Sequence, residues 1–155
     1  MTPAVQQLKK TKTPYQLHQY QHEETAASYG LEAADKLNVD RQQVFKTLVV
    51  KTTDNQLAVA IVPVAQKLSE KLMAKALKVK KVAMADAKIV ETTTGYVLGG
   101  VSPIGQKKAL KTIIDASAET LTSLYVSGGK RGLEIELSPT HLAKLTRAQF
   151  IEIVC

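Results

Sequence analysis

Residues 95–108, GYVLGGVSPIGQKK, combine a short apolar stretch, predicted as a strand, with a glycine-rich loop that ends in two lysines. Gly99 and Gly100 carry no Cβ, so the backbone there can adopt positive φ and bring its N–H groups close to a carbonyl or phosphate oxygen. Pro103 stiffens the exit. This first glycine loop is therefore a candidate ligand site, although turns that only terminate strands use the same residues.

A second glycine loop, SGGKRG at residues 127–132, repeats the arrangement, because two basic residues, Lys130 and Arg131, follow its glycine pair. It opens into residues 133–137, LEIEL, whose strict alternation predicts a strand with one buried face. The two loops could face one pocket.

Short strands and helices of irregular order predict a single α+β domain with a curved mixed sheet, and 155 residues at 45% hydrophobic are enough to bury a core. The predicted helices are 3–10, 31–37, 65–77, 86–93 and 139–145, with a helical or turn segment at 116–119. The predicted strands are 15–20, 45–50, 57–62, 79–82, 95–98, 123–126, 133–137 and 150–154.

The strands at 45–50 and 57–62 flank a turn at 53–55, which predicts an antiparallel hairpin, and the second of them is apolar on both faces, as expected of a central strand. Lys46 shares a face with Leu48 and Val50. If that face points inward, the ammonium group is partly desolvated beside apolar surface. The alternative is a lysine that extends into solvent from the end of the strand.

The net charge of +7 and a pI of about 9.5 favour an anionic partner, most often a nucleic acid. The predicted helix 65–77 and the residue after it place four lysines at helical spacing, namely Lys67, Lys71, Lys75 and Lys78. Such a stripe could follow a phosphate backbone, or it could be an ordinary solvated helix face.

Several kinds of site are not indicated. Cys155 is the single cysteine, which excludes an internal disulfide and a cysteine metal cluster. His18, His22 and His141 form no metal signature and are interpreted as structural or surface residues. A nucleophile elbow and a phosphate-binding P-loop are both absent. With no signal-peptide or membrane-span pattern, we expect a cytoplasmic protein without cofactor, metal or membrane contact.

Three segments, residues 45–48, 94–108 and 125–132, closely resemble the YbaK/EbsC family in order and spacing, and so does the opening Met1-Thr2-Pro3-Ala4. The resemblance implies one domain over residues 1–155, of α+β class, with a curved, mixed and mainly antiparallel sheet flanked by helices. It also implies a trans-editing hydrolase that removes cysteine from tRNA(Pro) mischarged by prolyl-tRNA synthetase, with Cys-tRNA(Cys) as a further substrate. Related members act on Ala-tRNA(Pro).

Carried over residue by residue, the resemblance makes Lys46 the essential pocket lysine, in contact with the tRNA 3′ end, and Gly99 a backbone donor to the scissile carbonyl. The other substrate-binding positions that it implies are Tyr20, Tyr29, Thr47, Gly100, Ser127 and Glu134. Tyr29 replaces a common phenylalanine, and Glu134 stands where several relatives have aspartate. These departures concern the fine shape of the pocket and not its existence.

The resemblance implies tRNA(Pro) as a partner and leaves open a complex with prolyl-tRNA synthetase. The candidate tRNA contacts are Lys67, Lys71, Lys75, Lys78, Lys107, Lys108, Lys130 and Arg131. In the mechanism that the family suggests, the thiol of the substrate attacks its own ester, and the enzyme supplies geometry and oxyanion stabilisation. Two alternatives stay open: an Ala-tRNA(Pro) deacylase that positions a water, and a non-catalytic tRNA-binding module.

Overall fold

The computed structural model describes residues 1–24 and 28–155, in which five α-helices, two 3₁₀ helices and eight strands are formed. The α-helices are α1 (Pro3–Lys10), α2 (Tyr29–Leu37), α3 (Glu70–Leu77), α4 (Ala87–Thr94) and α5 (Pro139–Thr146). The strands are β1 (Gln16–Gln19), β2 (Phe45–Thr52), β3 (Leu57–Pro63), β4 (Val82–Met84), β5 (Lys111–Asp115), β6 (Leu124–Ser127), β7 (Leu133–Leu137) and β8 (Gln149–Ile151).

The larger sheet has the order β4-β2-β3-β5-β8. Strands β2 and β3 form the predicted antiparallel hairpin, whose register runs from Phe45 opposite Pro63 to Lys51 opposite Leu57. On one face, Met73 of α3 packs in a core with β3 residues such as Val62, and on the other face Ile61 belongs to the main core. The central position predicted for this apolar strand is therefore confirmed.

The smaller sheet has the order β1-β7-β6 and is antiparallel throughout. A parallel bridge between Val44, just before β2, and Tyr125 of β6 connects the two sheets. The β3/β5 and β5/β8 pairings are parallel, whereas the other four strand pairings of the described residues are antiparallel. The predicted α+β class with mixed, mainly antiparallel strands is confirmed.

Side-chain caps mark where α1, α2, α3 and α5 begin, whereas α4 begins after Asp86 without a side-chain cap hydrogen bond. Thr2 caps α1 ahead of Pro3, and Ser138 caps α5, both as the sequence indicates. Helix α2 begins two residues earlier than predicted, because the Ser28 hydroxyl accepts a hydrogen bond from the Leu31 N–H at 3.3 Å. None of the helices in the described parts of the chain has the length and apolar character needed to cross a membrane.

The helix predicted at 65–77 is too long by five residues, because Ser69 caps α3 and the preceding residues form a loop. The predicted stripe of four lysines on one helix face is therefore wrong. Lys71 and Lys75 lie on α3, Lys67 precedes it, and Lys78 is its C-cap in the left-handed conformation. All four side chains remain exposed.

Three predicted strands differ from the structure. The strand at 79–82 is shifted to β4, where Val82–Met84 pairs with β2. The residues at 95–98 form no strand, since Gly95 ends α4 with a φ of +85° and turns the chain directly into the first glycine loop. The strand at 150–154 is the shorter β8, and Val154 forms only an isolated bridge to Leu68.

Candidate active site

A cavity of about 290 Å³ opens where strand β2, the start of α2 and the two glycine loops meet. Its lining consists of Tyr20, Ser28, Tyr29, Gly30, Phe45, Lys46, Thr47, Leu48, Leu98, Gly99, Val101, Ser127 and Glu134. Seven of the eight predicted pocket residues are therefore brought together. The exception is Gly100, which is buried beside the second glycine loop, where a Cβ would lie 2.8 Å from the Lys130 Cα.

The apolar part of the wall was not singled out from the sequence. Phe45 and Leu48 flank the predicted Lys46 and Thr47 on β2, and Leu98 and Val101 flank the predicted glycines. The signal that could have found them is their adjacency in sequence to residues already implicated. Since a strand alternates faces, however, only the folded structure shows that both neighbours reach the same cavity.

Lys46 is half-buried near the start of β2, on the strand face whose later members Leu48 and Val50 pack in the α3 core. Burial, followed by the nearby positive charge of Lys67, lowers the pKa of Lys46. No carboxylate in residues 1–24 or 28–155 forms a salt bridge with this ammonium group. The Lys46 side chain is therefore a poorly solvated cation that is available to a ligand in the cavity.

The first glycine loop closes on itself through a tight turn at residues 97–100. The Gly100 N–H donates to the Val97 carbonyl at 2.9 Å, and φ is positive at Gly99, where it is +85°, but not at Leu98. These features define a type II turn, in which the third residue is usually glycine. The Gly99 N–H donates to no acceptor within the part of the chain that the structure describes. It therefore presents an unpaired donor at the cavity wall.

The second glycine loop contacts the first through the Arg131 side chain. The Arg131 guanidinium donates to the Leu98 carbonyl from Nε at 3.2 Å and from Nη2 at 2.8 Å, and it lies 4.5 Å from the centre of the Tyr29 ring. A Cβ on Gly99 would lie 2.6 Å from the Arg131 Nε. The two glycine loops do contribute to one pocket, since Gly99 and Ser127 line the same cavity.

A buried carboxyl group lies at the inner wall. Glu134 is only 6% exposed, and its cross-strand neighbours are His18 on β1 and Ser127 on β6. Burial raises the pKa of Glu134 to about 8, so the carboxyl group is mostly protonated at neutral pH. Burial, and then the proximity of Glu134, raises the pKa of Tyr20 to about 12. The inner wall is therefore polar but close to uncharged near neutral pH.

Thr47, on β2, adds an unsatisfied polar atom to the cavity lining. Its Oγ1 is buried and has no hydrogen-bond partner among the described residues. A buried hydroxyl without a partner costs about 1–3 kcal/mol, which a bound ligand or water can recover.

A buried pair behind Tyr29 was missed by sequence reasoning. Glu32 on α2 accepts hydrogen bonds at 2.7 Å from the His22 Nδ1 and from the Glu23 N–H, and the His22 ring lies 5.5 Å from the Tyr29 ring. This pair ties the segment after β1 to α2. His18 likewise pairs with Glu136 at 2.9 Å. His18 and His22 therefore both have the structural role that the sequence predicted for these histidines.

The described residues contain no cluster of three or more His, Cys, Asp or Glu side chains that could hold a metal ion. Cys155, the one thiol of the chain, is exposed and contacts the Lys67 carbonyl at 3.7 Å. The cavity lining itself contains no cysteine. The hydroxyl groups of Ser28, Thr47 and Ser127 line it without a histidine beside them in that lining to act as a base.

The eight candidate tRNA contacts are all exposed, namely Lys67, Lys71, Lys75, Lys78, Lys107, Lys108, Lys130 and Arg131. Four of them belong to the two glycine loops, and Lys67 is close enough to Lys46 to lower its pKa. Arg131, which contacts Leu98 and Tyr29 of the lining, and Lys67 therefore place part of the basic surface beside the cavity.

A cation and an unpaired backbone N–H at one small cavity can together bind a carbonyl group and polarise it. The fold and the cavity therefore indicate a protein that binds a small carbonyl-containing group. A comparison with protein families then gives the particular one: the chain belongs to the aminoacyl-tRNA editing domain family, which matches residues 22–145.

Individual relatives agree with this assignment. The chain is 39% identical over 152 residues to EbsC of Enterococcus faecalis, a proposed Cys-tRNA(Pro)/Cys-tRNA(Cys) deacylase, and the match covers 98% of this chain and 92% of EbsC. It is 25% identical over 99 residues to a proline–tRNA ligase of Brachyspira hyodysenteriae, covering 64% of this chain and 17% of the ligase. The crystal structure of a hypothetical protein has the same fold, with a TM-score of 0.88 at 24% identity and 99% coverage of each chain.

Replacing Glu134 by Gln is expected to change how stability depends on pH. Burial raises the pKa of Glu134 from its ordinary value of 4.5 to about 8. At pH values between these two, the carboxyl group is protonated in the folded protein and loses its proton on unfolding. The free energy of unfolding of the wild type, relative to Glu134→Gln, should therefore fall by up to about 1.4 kcal/mol per pH unit across this window. Urea unfolding at several pH values measures the difference.

Glu152→Gln is the control. Its side chain is exposed and forms no salt bridge or side-chain hydrogen bond with the described residues, so folding changes its surroundings little and its difference from wild type should stay flat across the window. A flat difference for Glu134→Gln as well would show that Glu134 is ionised in the folded protein.

Proposed function

We propose that this protein hydrolyses the ester bond of Cys-tRNA(Pro), and also of Cys-tRNA(Cys), and thereby removes cysteine from tRNA. The observation that carries the proposal is the pairing of a half-buried Lys46 with an unpaired Gly99 N–H at one cavity. The substrate named for EbsC, at 39% identity, supports cysteine as the amino acid.

The size of the cavity supports a small substrate group. About 290 Å³ lies at the lower end of the range for ligand pockets, which suits an aminoacyl group and part of its ribose but not a whole nucleotide. The apolar side chains of Phe45 and Leu48 line the cavity beside Lys46, and they suit a small side chain such as that of cysteine. The rest of the tRNA would lie outside, on the basic surface.

In this proposal the ester carbonyl accepts a hydrogen bond from the Gly99 N–H. As a nucleophile adds to the carbonyl carbon, negative charge develops on that oxygen, and a preoriented donor stabilises it by about 3 kcal/mol. Lys46 binds the terminal nucleotide beside the ester with its ammonium group. Thr47, Ser127, Tyr20 and the protonated Glu134 offer polar atoms to the α-amino group and the ribose hydroxyls.

The nucleophile comes from the substrate. The cysteine thiol of the aminoacyl group attacks its own ester carbonyl, the bond to the ribose oxygen breaks, and the thiol proton is transferred to that oxygen. The products are free tRNA and a cysteine thiolactone, which water then opens to cysteine. Holding a thiol near its carbonyl contributes up to about 7–11 kcal/mol in favourable intramolecular cases, less the strain of the small ring.

The basic surface supports tRNA as the carrier. A single-stranded acceptor end attracts lysines without regard to sequence, and each neutralised phosphate contributes a slope of roughly 0.7–0.9 in log K against log salt. The partial match to a proline–tRNA ligase supports tRNA(Pro) and makes the synthetase itself a candidate partner. Since tRNA is charged in the cytoplasm, we place the activity there.

Replacing Lys46 by Ala is expected to lower the single-turnover rate of Cys-tRNA(Pro) deacylation by on the order of 100-fold or more, because the site loses the one cation among the described residues that line it. The matched control is Lys51→Ala, on the same strand but about 16 Å further along it. Unfolding curves establish that both variants fold. Near-normal turnover in Lys46→Ala would remove Lys46 from the reaction.

The choice of nucleophile is tested with three esters of one tRNA. Under enzyme excess, cysteinyl-tRNA(Pro) should be deacylated much faster than seryl-tRNA(Pro) and alanyl-tRNA(Pro), because a hydroxyl is far less ionised than a thiol near neutral pH and alanine has no nucleophile. Cys155→Ala should leave all three rates unchanged, since that thiol is exposed at the end of the chain.

Equal rates for the three esters would contradict thiol assistance and indicate a water held by the enzyme, for which the unsatisfied Thr47 hydroxyl is the candidate partner. Binding of all three without turnover would identify the chain as a tRNA-binding module. Loss of activity in Cys155→Ala would overturn the proposed site.

A further inference from the structure

We propose that Arg131 is a positioning residue, which holds the peptide between Leu98 and Gly99 so that the Gly99 N–H points into the cavity. The inference rests on the proposed function, because it assigns the N–H that the ester carbonyl would meet. It differs from the phosphate contact that the sequence suggested for the same side chain, and the two roles predict different measurements.

The contact itself is specific. Two N–H groups of one guanidinium, Nε and Nη2, donate to the single carbonyl oxygen of Leu98 at 3.2 and 2.8 Å. Leu98 and Gly99 share that peptide unit, in which the C=O and the N–H point in opposite directions. Holding the oxygen on the Arg131 side therefore directs the N–H of Gly99 to the other side, and Gly99 lines the cavity.

The turn alone does not determine this orientation. Types I and II differ mainly by a rotation of about 180° of the central peptide, and both retain the hydrogen bond from the fourth residue to the first. In this loop that bond joins the Gly100 N–H to the Val97 carbonyl at 2.9 Å. A glycine at the third position tolerates either φ, so the sequence of the turn leaves the peptide free to rotate. The Leu98 carbonyl points toward the Arg131 guanidinium only when the peptide has the type II orientation.

A charged donor on the carbonyl also affects the N–H of the same peptide. Hydrogen bonds in a chain polarise one another, with a strengthening of about 10–30% per bond. The guanidinium charge on the Leu98 oxygen therefore makes the Gly99 N–H a better donor to a developing oxyanion. Orientation and polarisation act in the same direction.

The exposed Arg131 side chain is in turn held by its contact with Tyr29. Its guanidinium lies 4.5 Å from the centre of the Tyr29 ring, which lies 5.5 Å from the ring of His22, and His22 is hydrogen-bonded to the buried Glu32. A Cβ on Gly99 would meet both the Arg131 Nε at 2.6 Å and the Tyr29 ring at 2.8 Å. The glycine is therefore required for this close approach as well as for the turn.

The test uses Arg131→Lys and Arg131→Gln, with Lys130→Ala as the matched control for the substrate-free spectra, because the Lys130 side chain is exposed in the same loop. Lysine keeps the charge that a phosphate contact needs but loses the two-pronged donor. NMR of labelled protein without substrate should show changed shifts for the Leu98 carbonyl carbon and the Gly99 amide in both Arg131 variants and unchanged shifts in Lys130→Ala. This readout is independent of any activity.

Kinetics then separates positioning from tRNA attraction. In both Arg131 variants the single-turnover rate at saturating enzyme should fall by about 10- to 100-fold, a part of what loss of an oxyanion donor costs. The affinity for uncharged tRNA and its salt slope should stay at the wild-type values. The control for the rate is Lys88→Ala, which removes an exposed lysine of α4 that is outside the cavity lining and is not a candidate tRNA contact, and its rate should equal that of the wild type.

Opposite results would overturn the inference. Unchanged Leu98 and Gly99 shifts would show that Arg131 does not hold the peptide. A normal rate in Arg131→Lys, with a weaker affinity and a smaller salt slope in Arg131→Gln, would assign Arg131 to phosphate contact. Should the wild-type protein deacylate none of the esters, the proposed function fails, while the NMR shifts still decide whether Arg131 orients the peptide.

Discussion

The hydrogen bonds from the Arg131 guanidinium to the Leu98 carbonyl join two loops that are distant in sequence, and the pocket depends on that junction. Tyr96, Val101 and Ile104 anchor the first glycine loop in the main core on either side of its turn, but Val97 and Leu98 within the turn are exposed and contribute little core packing. The second glycine loop supplies the missing support through Arg131. The turn that carries Gly99 is thus held by a polar contact, whereas the residues on either side of it are held by burial of apolar surface.

The opposite wall of the cavity, which strand β2 forms, is held mainly by burial of apolar surface. Strand β2 is held by β3 and by core packing on both sheet faces, and this rigid setting keeps Lys46 and Thr47 in a poorly solvated position that neither would adopt alone. The desolvation of Lys46, of the Thr47 hydroxyl and of Glu134 costs stability, which the surrounding core offsets. Such uncompensated polar groups concentrate at functional sites because a ligand can satisfy them.

The sequence contained the signals for the elements that local chemistry determines. Thr2, Ser138 and the alternation of residues 133–137 were sufficient to place α1, α5 and β7. The start of α3 was predicted wrongly because helical spacing extends to residues before Ser69, whereas the Ser69 hydroxyl caps the first turn and the helix begins there. The cavity residues followed from a family resemblance, since no periodicity brings β2 and Glu134 together. The contacts of Arg131 with Leu98 and of His22 with Glu32 depend on long-range geometry that no local pattern records.

The most direct test of the account is an NMR titration with 3′-cysteinylamino-3′-deoxyadenosine, whose amide replaces the ester and is not hydrolysed. A carbonyl bound at the cavity should shift the Gly99 amide proton downfield and perturb the Lys46 side-chain signals. The amide of Gly95, which caps α4 outside the cavity lining, should not move. Saturable binding that leaves Gly99 and Lys46 unperturbed would contradict the central claim that the aminoacyl group is held between them.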